Sequence, residues 1–325
     1  MTKTTRALLL LATCVSCTAL MAEDPKSRSF RFSYGAKISN PQGEELRIWI
    51  PIASSNTQQS VELVKLNIPV GYQIERERKY GNQILFFETS SDARSVEFSL
   101  EYRVDRHEFI GLGPEEVPAT TLASRERKLF LSENRLVPIG KLPIPDLNLK
   151  DKTLSELAVA KAIYEHVDAL VSYDKSKPGY GRGDVRWVCD SRTGNCTDFH
   201  SLFISLARKA GLPARFEIGF PLPVERGAGT IGGYHCWASF FTQDYGWVPV
   251  DISEADKHPE LKNYYFGNLT ENRISFSSGR DIDLIPKQAA DPLNYFVYPH
   301  VESNGKAVER SRIELAFEFE DLDRK

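Results

Sequence analysis

The sequence predicts an α+β fold in which an N-terminal antiparallel β-sandwich precedes a mixed core of helices and strands. Three observations carry this expectation. Residues 27–106 alternate apolar and polar side chains in short runs broken by turn residues, the period-2 signature of half-buried strands. Residues 151–275 begin with two segments of helical period and continue with three strand-like runs, an order that suits an α+β unit. The chain's 325 residues, 41% hydrophobic and 11% aromatic, suffice for about two domains with a large core that needs no disulfide staples.

Taken in order, residues 1–22 carry Lys3 and Arg6, an apolar stretch from Ala7 to about Leu20, and Ala22 ahead of Glu23-Asp24. This is the layout of a secretory signal, with an apolar stretch too short for a comfortable spanning helix. The mature chain is therefore expected outside the cytoplasm, periplasmic or extracellular, without a transmembrane domain. A rival reading makes Cys14 or Cys17 a lipid-attachment site. The sandwich strands are read at Phe30–Tyr34, Leu46–Pro51, Val61–Val64, Ile84–Phe87 and Val96–Tyr102. Between residues 107 and 150 the pattern dissolves into a proline-spaced linker, Val137-Pro-Ile-Gly-Lys-Leu-Pro-Ile-Pro145. Thr153 then opens a helix with Glu156 at the capping-box position. A second helix, Cys196–Ala210, places Phe199, Leu202, Phe203, Leu206, Ala207 and Ala210 on one stripe and stops at Gly211 and Pro213. Strand runs follow at Ala214–Phe220, His235–Phe241 and Gly246–Asp251, and residues 276–325 read as a β extension of the core.

Charge and composition exclude several classes. With 41 basic against 44 acidic residues, a formal net charge of −3, no clustered basic field is expected and nucleic acid is not a partner. The composition is also wrong for a disordered, collagen-like or multi-span membrane chain.

Three ionisable residues occupy informative places. Cys196 stands in the first turn of an apolar helix, His235 opens a strand after Gly232-Gly233, and Asp251 closes the next strand after Trp247-Val-Pro-Val250. Neighbouring antiparallel strands can set His235 beside Asp251, with the helix N-terminus aimed at them. That is the geometry of a nucleophile, its base and the base's orienter. A free thiol has a pKa near 8.5, and a helix N-terminus with an adjacent imidazolium can lower it to about 3.5–7.5. Acyl transfer from an amide or ester through a thioester suits such equipment.

The stretch Gly194-Asn-Cys-Thr-Asp-Phe-His-Ser-Leu-Phe203, then Ala207-Arg-Lys-Ala-Gly-Leu-Pro-Ala-Arg215, His235-Cys-Trp237 and Trp247-Val-Pro-Val-Asp251 resembles the core of the transglutaminase-like superfamily over roughly residues 153–275. The resemblance implies a papain-like core behind the sandwich and a Cys196, His235 and Asp251 triad. Peptidases, amidases, crosslinking enzymes and inactive members all share this superfamily, so the resemblance leaves the reaction open.

Around the triad, Arg182, Trp187, Tyr234 and Trp237 are candidate walls for a peptide or protein acyl donor, and His200, one helical turn past Cys196, is a supporting residue. Cys236 follows the base on a strand and should face away from it. In an oxidising compartment it is expected to pair with Cys189 as a disulfide, leaving Cys196 free, the alternative being that Cys189 and Cys236 are two buried thiols. No cofactor is called for. A zinc site from Cys189, Cys196, His200, His235 and Cys236 lacks C-x2-C or H-x3-H spacing, so no metal is expected. The expected activity is hydrolysis of a peptide or amide bond, favoured over crosslinking because no amine-acceptor site is legible. A non-catalytic envelope binding or scaffold module on the same fold is the alternative.

Overall fold

The computed structural model describes residues 25–322 apart from 90, 91, 93, 113–119, 141, 144–146 and 148–152. The expected export signal, with Cys14 and Cys17, lies outside the described residues, as does part of the linker. Six strands come first: β1 (Ser27–Ser39), β2 (Leu46–Ile52), β3 (Gln59–Asn67), β4 (Tyr72–Arg76), β5 (Gln83–Glu88) and β6 (Ser95–His107). Strict alternation along β1 buries Phe30, Phe32, Tyr34, Ala36 and Ile38, and along β6 it buries Val96, Phe98, Leu100, Tyr102 and Val104. A one-residue slip would turn both sets to solvent, so the β1–β6 register, Phe30 against Val104 through Ile38 against Val96, is fixed by burial.

The linker region carries β7 (Phe109–Ile110) and a helix the sequence pattern does not announce, α1 (Ser124–Leu131). Only Phe130 of α1 is buried, too little to leave a periodic signal. The core follows as α2 (Glu156–Leu170), β8 (Ser172–Tyr173), α3 (Val185–Ser191), β9 (Thr193–Gly194), α4 (Cys196–Lys209), β10 (Ala214–Pro221), β11 (Ala228–Thr230), β12 (His235–Thr242), β13 (Gly246–Val250), α5 (Ile252–Lys257), β14 (Asn268–Leu269) and β15 (Arg273–Ser278). Helix α2 is capped by Ser155, whose side chain accepts from the Ala158 N–H, so the cap falls two residues beyond the expected Thr153. The central sheet has the order β13-β12-β10-β15. Helix α4 lies on it, with the Phe203 ring 6.0 Å from that of Phe240 on β12.

The expected C-terminal extension of the core is corrected by the topology. After β15 the chain returns to the sandwich through β16 (His300–Ser303), β17 (Lys306–Ala307) and β18 (Ile313–Asp321). One sandwich sheet runs β11-β18-β1-β6-β3 and the other β17-β16-β2-β5-β4. Strand β18 pairs with β1 from Ile313 opposite Ile38 to Asp321 opposite Phe30. It closes what would otherwise be an exposed edge of a long apolar strand. Residues from the sandwich and the core merge in one hydrophobic cluster; Phe32 lies 5.3 Å from Phe220 of β10 and Tyr34 is stacked 5.5 Å from Phe276 of β15. Among the described residues, no helix is long and apolar enough to cross a membrane.

Candidate active site

The site forms where α4 begins against the end of the core sheet. Asn195 caps the helix: its Oδ1 accepts from the Thr197 N–H at 2.9 Å, and Asp198 Oδ2 returns to the Asn195 N–H at 2.9 Å, a reciprocal capping box. Asp198 also gathers the preceding loop, accepting from the N–H groups of Gly181 (2.6 Å) and Gly183 (2.8 Å). A Cβ on Gly183, whose φ is +59°, would lie 2.2 Å from Ser201 Oγ, so this loop can approach α4 only through glycine. These contacts place Cys196, 3% exposed, at the positive end of a 14-residue helix.

Strand pairing supplies the other two residues. The ladder of β12 and β13 runs from Thr242 opposite Gly246 to Ala238 opposite Val250. It brings His235 and Asp251 to the same end of the sheet. His235 Nε2 lies 2.8 Å from Asp251 Oδ2, and the Cys196 sulfur is near enough to the imidazole to raise it further. Asp251, fully buried, is fixed further by the Ser253 hydroxyl and the Glu254 N–H, each 3.3 Å from Oδ1.

A fourth residue escaped the sequence reading. Arg273, at the start of β15, donates from Nη1 to Asp251 Oδ2 at 2.9 Å and is itself 3% exposed. Gly219 permits this approach: a Cβ there would sit 1.8 Å from the Ile274 carbonyl oxygen, at the irregularity between β10 and β15. A lone arginine beginning a strand carries no signal in sequence; only the sheet order takes it to the carboxylate.

The electrostatics follow from this line of charges. Burial alone would raise the Cys196 thiol, but hydrogen bonds from Cys236 and His235 and the charge of the imidazolium bring it well below an ordinary cysteine. Burial would lower His235, yet the Asp251 carboxylate and the Cys196 sulfur raise it to about 10. Asp251 is held well below the usual carboxylate range by His235 and Arg273 against the cost of burial. The line thus sets a lowered thiol beside a raised imidazole, with the Asp251 carboxylate paired to the Arg273 guanidinium behind them.

His200 is brought to the same place. Its Nε2 accepts from the Ile252 N–H at 3.0 Å and lies 3.8 Å from Asp251 Oδ1, and its ring hydrogen-bonds the Cys196 backbone. Burial lowers it to about 4, so it is a neutral imidazole with Nδ1 protonated. Tyr234 meets the first turn of α4, its hydroxyl 3.1 Å from Asn195 Nδ2 and 3.0 Å from Thr197 Oγ1. Its ring packs at 5.4 Å from Tyr295 and 5.9 Å from Tyr298, an aromatic wall from the C-terminal segment that the sequence reading left without a role. Trp237 is a buried support on the His235 face, donating to Glu217 Oε2 at 3.1 Å beneath the Arg273 guanidinium. Trp187, half-buried, packs on Gly179 and makes none of the hydrogen bonds of the line, and Arg182 is exposed.

The expected Cys189–Cys236 disulfide is corrected: Cys189, Cys196 and Cys236 are all free and buried. Side-chain alternation on β12 holds, since Cys236 turns toward α4 while His235 and Trp237 share the other face. Cys196, however, straddles the strand end and meets residues from both faces. The Cys236 sulfur lies 3.7 Å from Thr197 Oγ1 and 3.8 Å from His200 Nδ1, and it is near enough to Cys196 to lower that thiol while its own is raised. Cys189 sits among the apolar residues of α3, where burial raises its thiol to about 11. Among the described residues, no three His, Cys, Asp or Glu side chains gather in a way that would hold a metal ion.

The Cys236 contact has a measurable consequence. A hydrogen bond to a charged group contributes about 1.5–3 kcal/mol, equivalent to between one and two pH units. Cys236→Ala is expected to raise the midpoint of Cys196 alkylation by about one pH unit; an unchanged midpoint would show that Cys236 does not stabilise the thiolate.

Comparison with known proteins finds likenesses in both sequence and fold. Residues 147–252 match the family model of the transglutaminase-like superfamily. An uncharacterized protein of Haemophilus influenzae is 27% identical over 319 residues, covering 85% of this chain and 86% of its own. The crystal structure of a candidate cysteine protease from Cytophaga hutchinsonii superposes with a TM-score of 0.53 at 17% identity, covering 93% of each chain. The periplasmic domain of TgpA from Pseudomonas aeruginosa gives a TM-score of 0.36 at 16% identity, covering 72% of this chain and 90% of that domain.

Proposed function

We propose that this chain, whose residues 147–252 match the transglutaminase-like superfamily model, is an exported cysteine-dependent acyl-transfer enzyme that hydrolyses peptide or amide bonds. The observation that carries the reading is the buried line Cys196, His235, Asp251, in which the carboxylate is anchored by Arg273. In this mechanism the Cys196 thiolate attacks the acyl carbon, and the backbone N–H of Cys196 at the start of α4 faces the developing oxyanion. The His235 imidazolium gives its proton to the leaving amine, which departs as a thioester forms. Neutral His235 then takes a proton from water, hydroxide adds to the thioester, and Cys196 is released as the acid product leaves.

Asp251 keeps Nε2 of His235 engaged, so that Nδ1 is the atom that exchanges protons with sulfur. Tyr234, Tyr295 and Tyr298 offer a wall for the acyl donor. Export rests on the signal-like residues 1–22. The test is a panel of peptide and glutamine-containing acyl donors offered with and without a primary amine. Release of acid without amine incorporation is expected; amine incorporation in preference to hydrolysis would reassign the chain to crosslinking, and no turnover of any donor would favour a binding module.

A further inference from the structure

Where the sandwich meets the core sheet lies a small chamber of about 20 Å³ whose walls include Arg106, Arg215, Glu217, Trp237 and Ser239. It adjoins a groove of about 840 Å³ that shares Arg215, Glu217 and Trp247 with it. The chamber is unusual in its charge. Arg106, at the end of β6, is 1% exposed; its Nη1 reaches only the neutral Gln59 Oε1, at 3.4 Å, and its Nε has no partner. Arg215 Nη2 pairs with Glu217 Oε1 at 3.1 Å, while its Nε is also unpartnered. Glu217 is committed elsewhere as well, its Oε2 accepting from Trp237 Nε1 and from the Ser239 hydroxyl at 2.7 Å. Arg273, the guanidinium that repels Arg106, spends its Nη1 on Asp251 and leaves Nε unpartnered.

In and beside the chamber three guanidinium groups thus share two carboxylates, Glu217 in its wall and Asp251 beyond it, and Asp251 already serves His235. The unmatched charge is that of Arg106. Burial and the neighbouring Arg273 pull Arg106 down to about 9 against the attraction of Glu217, so it remains a cation at neutral pH. Glu217 lies near enough to attract Arg106 but gives it no hydrogen bond, and a buried cation so incompletely paired is strongly unfavourable; the donors left over point to an acceptor that is itself charged. The chamber's volume is that of one water-sized particle.

We propose that the chamber binds a small monovalent anion of halide size, held by the Arg106 and Arg215 guanidinium groups. The ion neutralises Arg106, relieves its repulsion of Arg273, and so strengthens the Arg273 hold on Asp251 from the side away from the thiol. This site is separate from the one that receives the acyl donor and does not depend on the reaction assigned above.

Two measurements test it on the intact protein. Crystals grown in bromide are expected to show an anomalous peak between Arg106 and Arg215. Thermal unfolding in chloride, compared with gluconate at the same ionic strength, is expected to rise by roughly 5 °C at a hundredfold excess over the dissociation constant, and Arg106→Gln is expected to abolish the difference. An ordered water with no anomalous signal in the chamber, or equal unfolding midpoints in the two salts, overturns the proposal. So does a chloride effect that persists in Arg106→Gln. Should that variant fail to fold, the bromide crystal of the parent decides alone.

Discussion

Cys196→Ala is expected to take acyl transfer to background, a fall on the order of 10⁶ in kcat, the scale of loss when the nucleophile is removed from a group of residues that act as a unit. The size follows from the site's construction. His200 is held neutral with its Nε2 turned to the Ile252 N–H, and Cys236 is a thiol raised well above its usual range by burial and by the Cys196 sulfur. Neither can take over as nucleophile while His235 addresses position 196. The fold should survive, because the side chain removed is small and the Asn195–Asp198 capping box that starts α4 does not involve the thiol. Near-UV circular dichroism like that of the parent, together with the loss of turnover, checks both halves. Residual turnover within tenfold of the parent would show that the chemistry is elsewhere.

Asp251→Asn is expected to lower kcat/KM by about 10² to 10⁴ and also to destabilise the protein. Two cations converge on Asp251 Oδ2, Nε2 of His235 at 2.8 Å and Nη1 of Arg273 at 2.9 Å. A neutral amide cannot satisfy both: its nitrogen donates where an acceptor is required, and its oxygen carries no full charge. His235 would lose the main influence that raises it to about 10, so the imidazolium would fade near neutral pH and Cys196 would regain its proton. Arg273 would be left buried without an acid, a loss of about 3–5 kcal/mol for one partner of a buried pair. Asparagine preserves the cap of α5, which needs only an acceptor for the Glu254 N–H, so the effect can be assigned to charge. Kinetics and chemical denaturation of the variant check the two losses; parent-like values in both would remove Asp251 from its assigned role.

What the sequence made legible was local. The β1 and β6 alternation, the apolar stripe of α4, the Gly211 stop and the order of β10, β12 and β13 can all be read from periodicity and punctuation. So can the positions of Cys196, His235 and Asp251, each at the end of a legible element. What stayed hidden depends on which elements become neighbours. The alternating residues of β18 read as a strand, but nothing local says that β1, nearly 300 positions earlier, is its partner. Arg273 reaches Asp251 only because β15 lies across β10, and Tyr295 and Tyr298 reach Tyr234 from a segment without periodicity. Alternation puts Cys236 on the far face of β12, a rule that holds within the strand and yet says nothing about a helix start placed at the strand's end.

The ionic state of Cys196 is the centre of the account, and the pH dependence of its alkylation by iodoacetamide tests it most directly. The thiolate appears as pH rises through a value lowered by Cys236 and His235, and the imidazolium beside it persists until pH passes about 10. In stability terms, the Cys196 contribution grows with pH and is complete above the ordinary thiol value. That of His235 is complete below the ordinary imidazole value and is lost toward about 10. The folded parent is therefore expected to alkylate at Cys196 with an apparent pKa well below 8.5. An apparent pKa at or above 8.5, measured in a folded sample, would contradict the account.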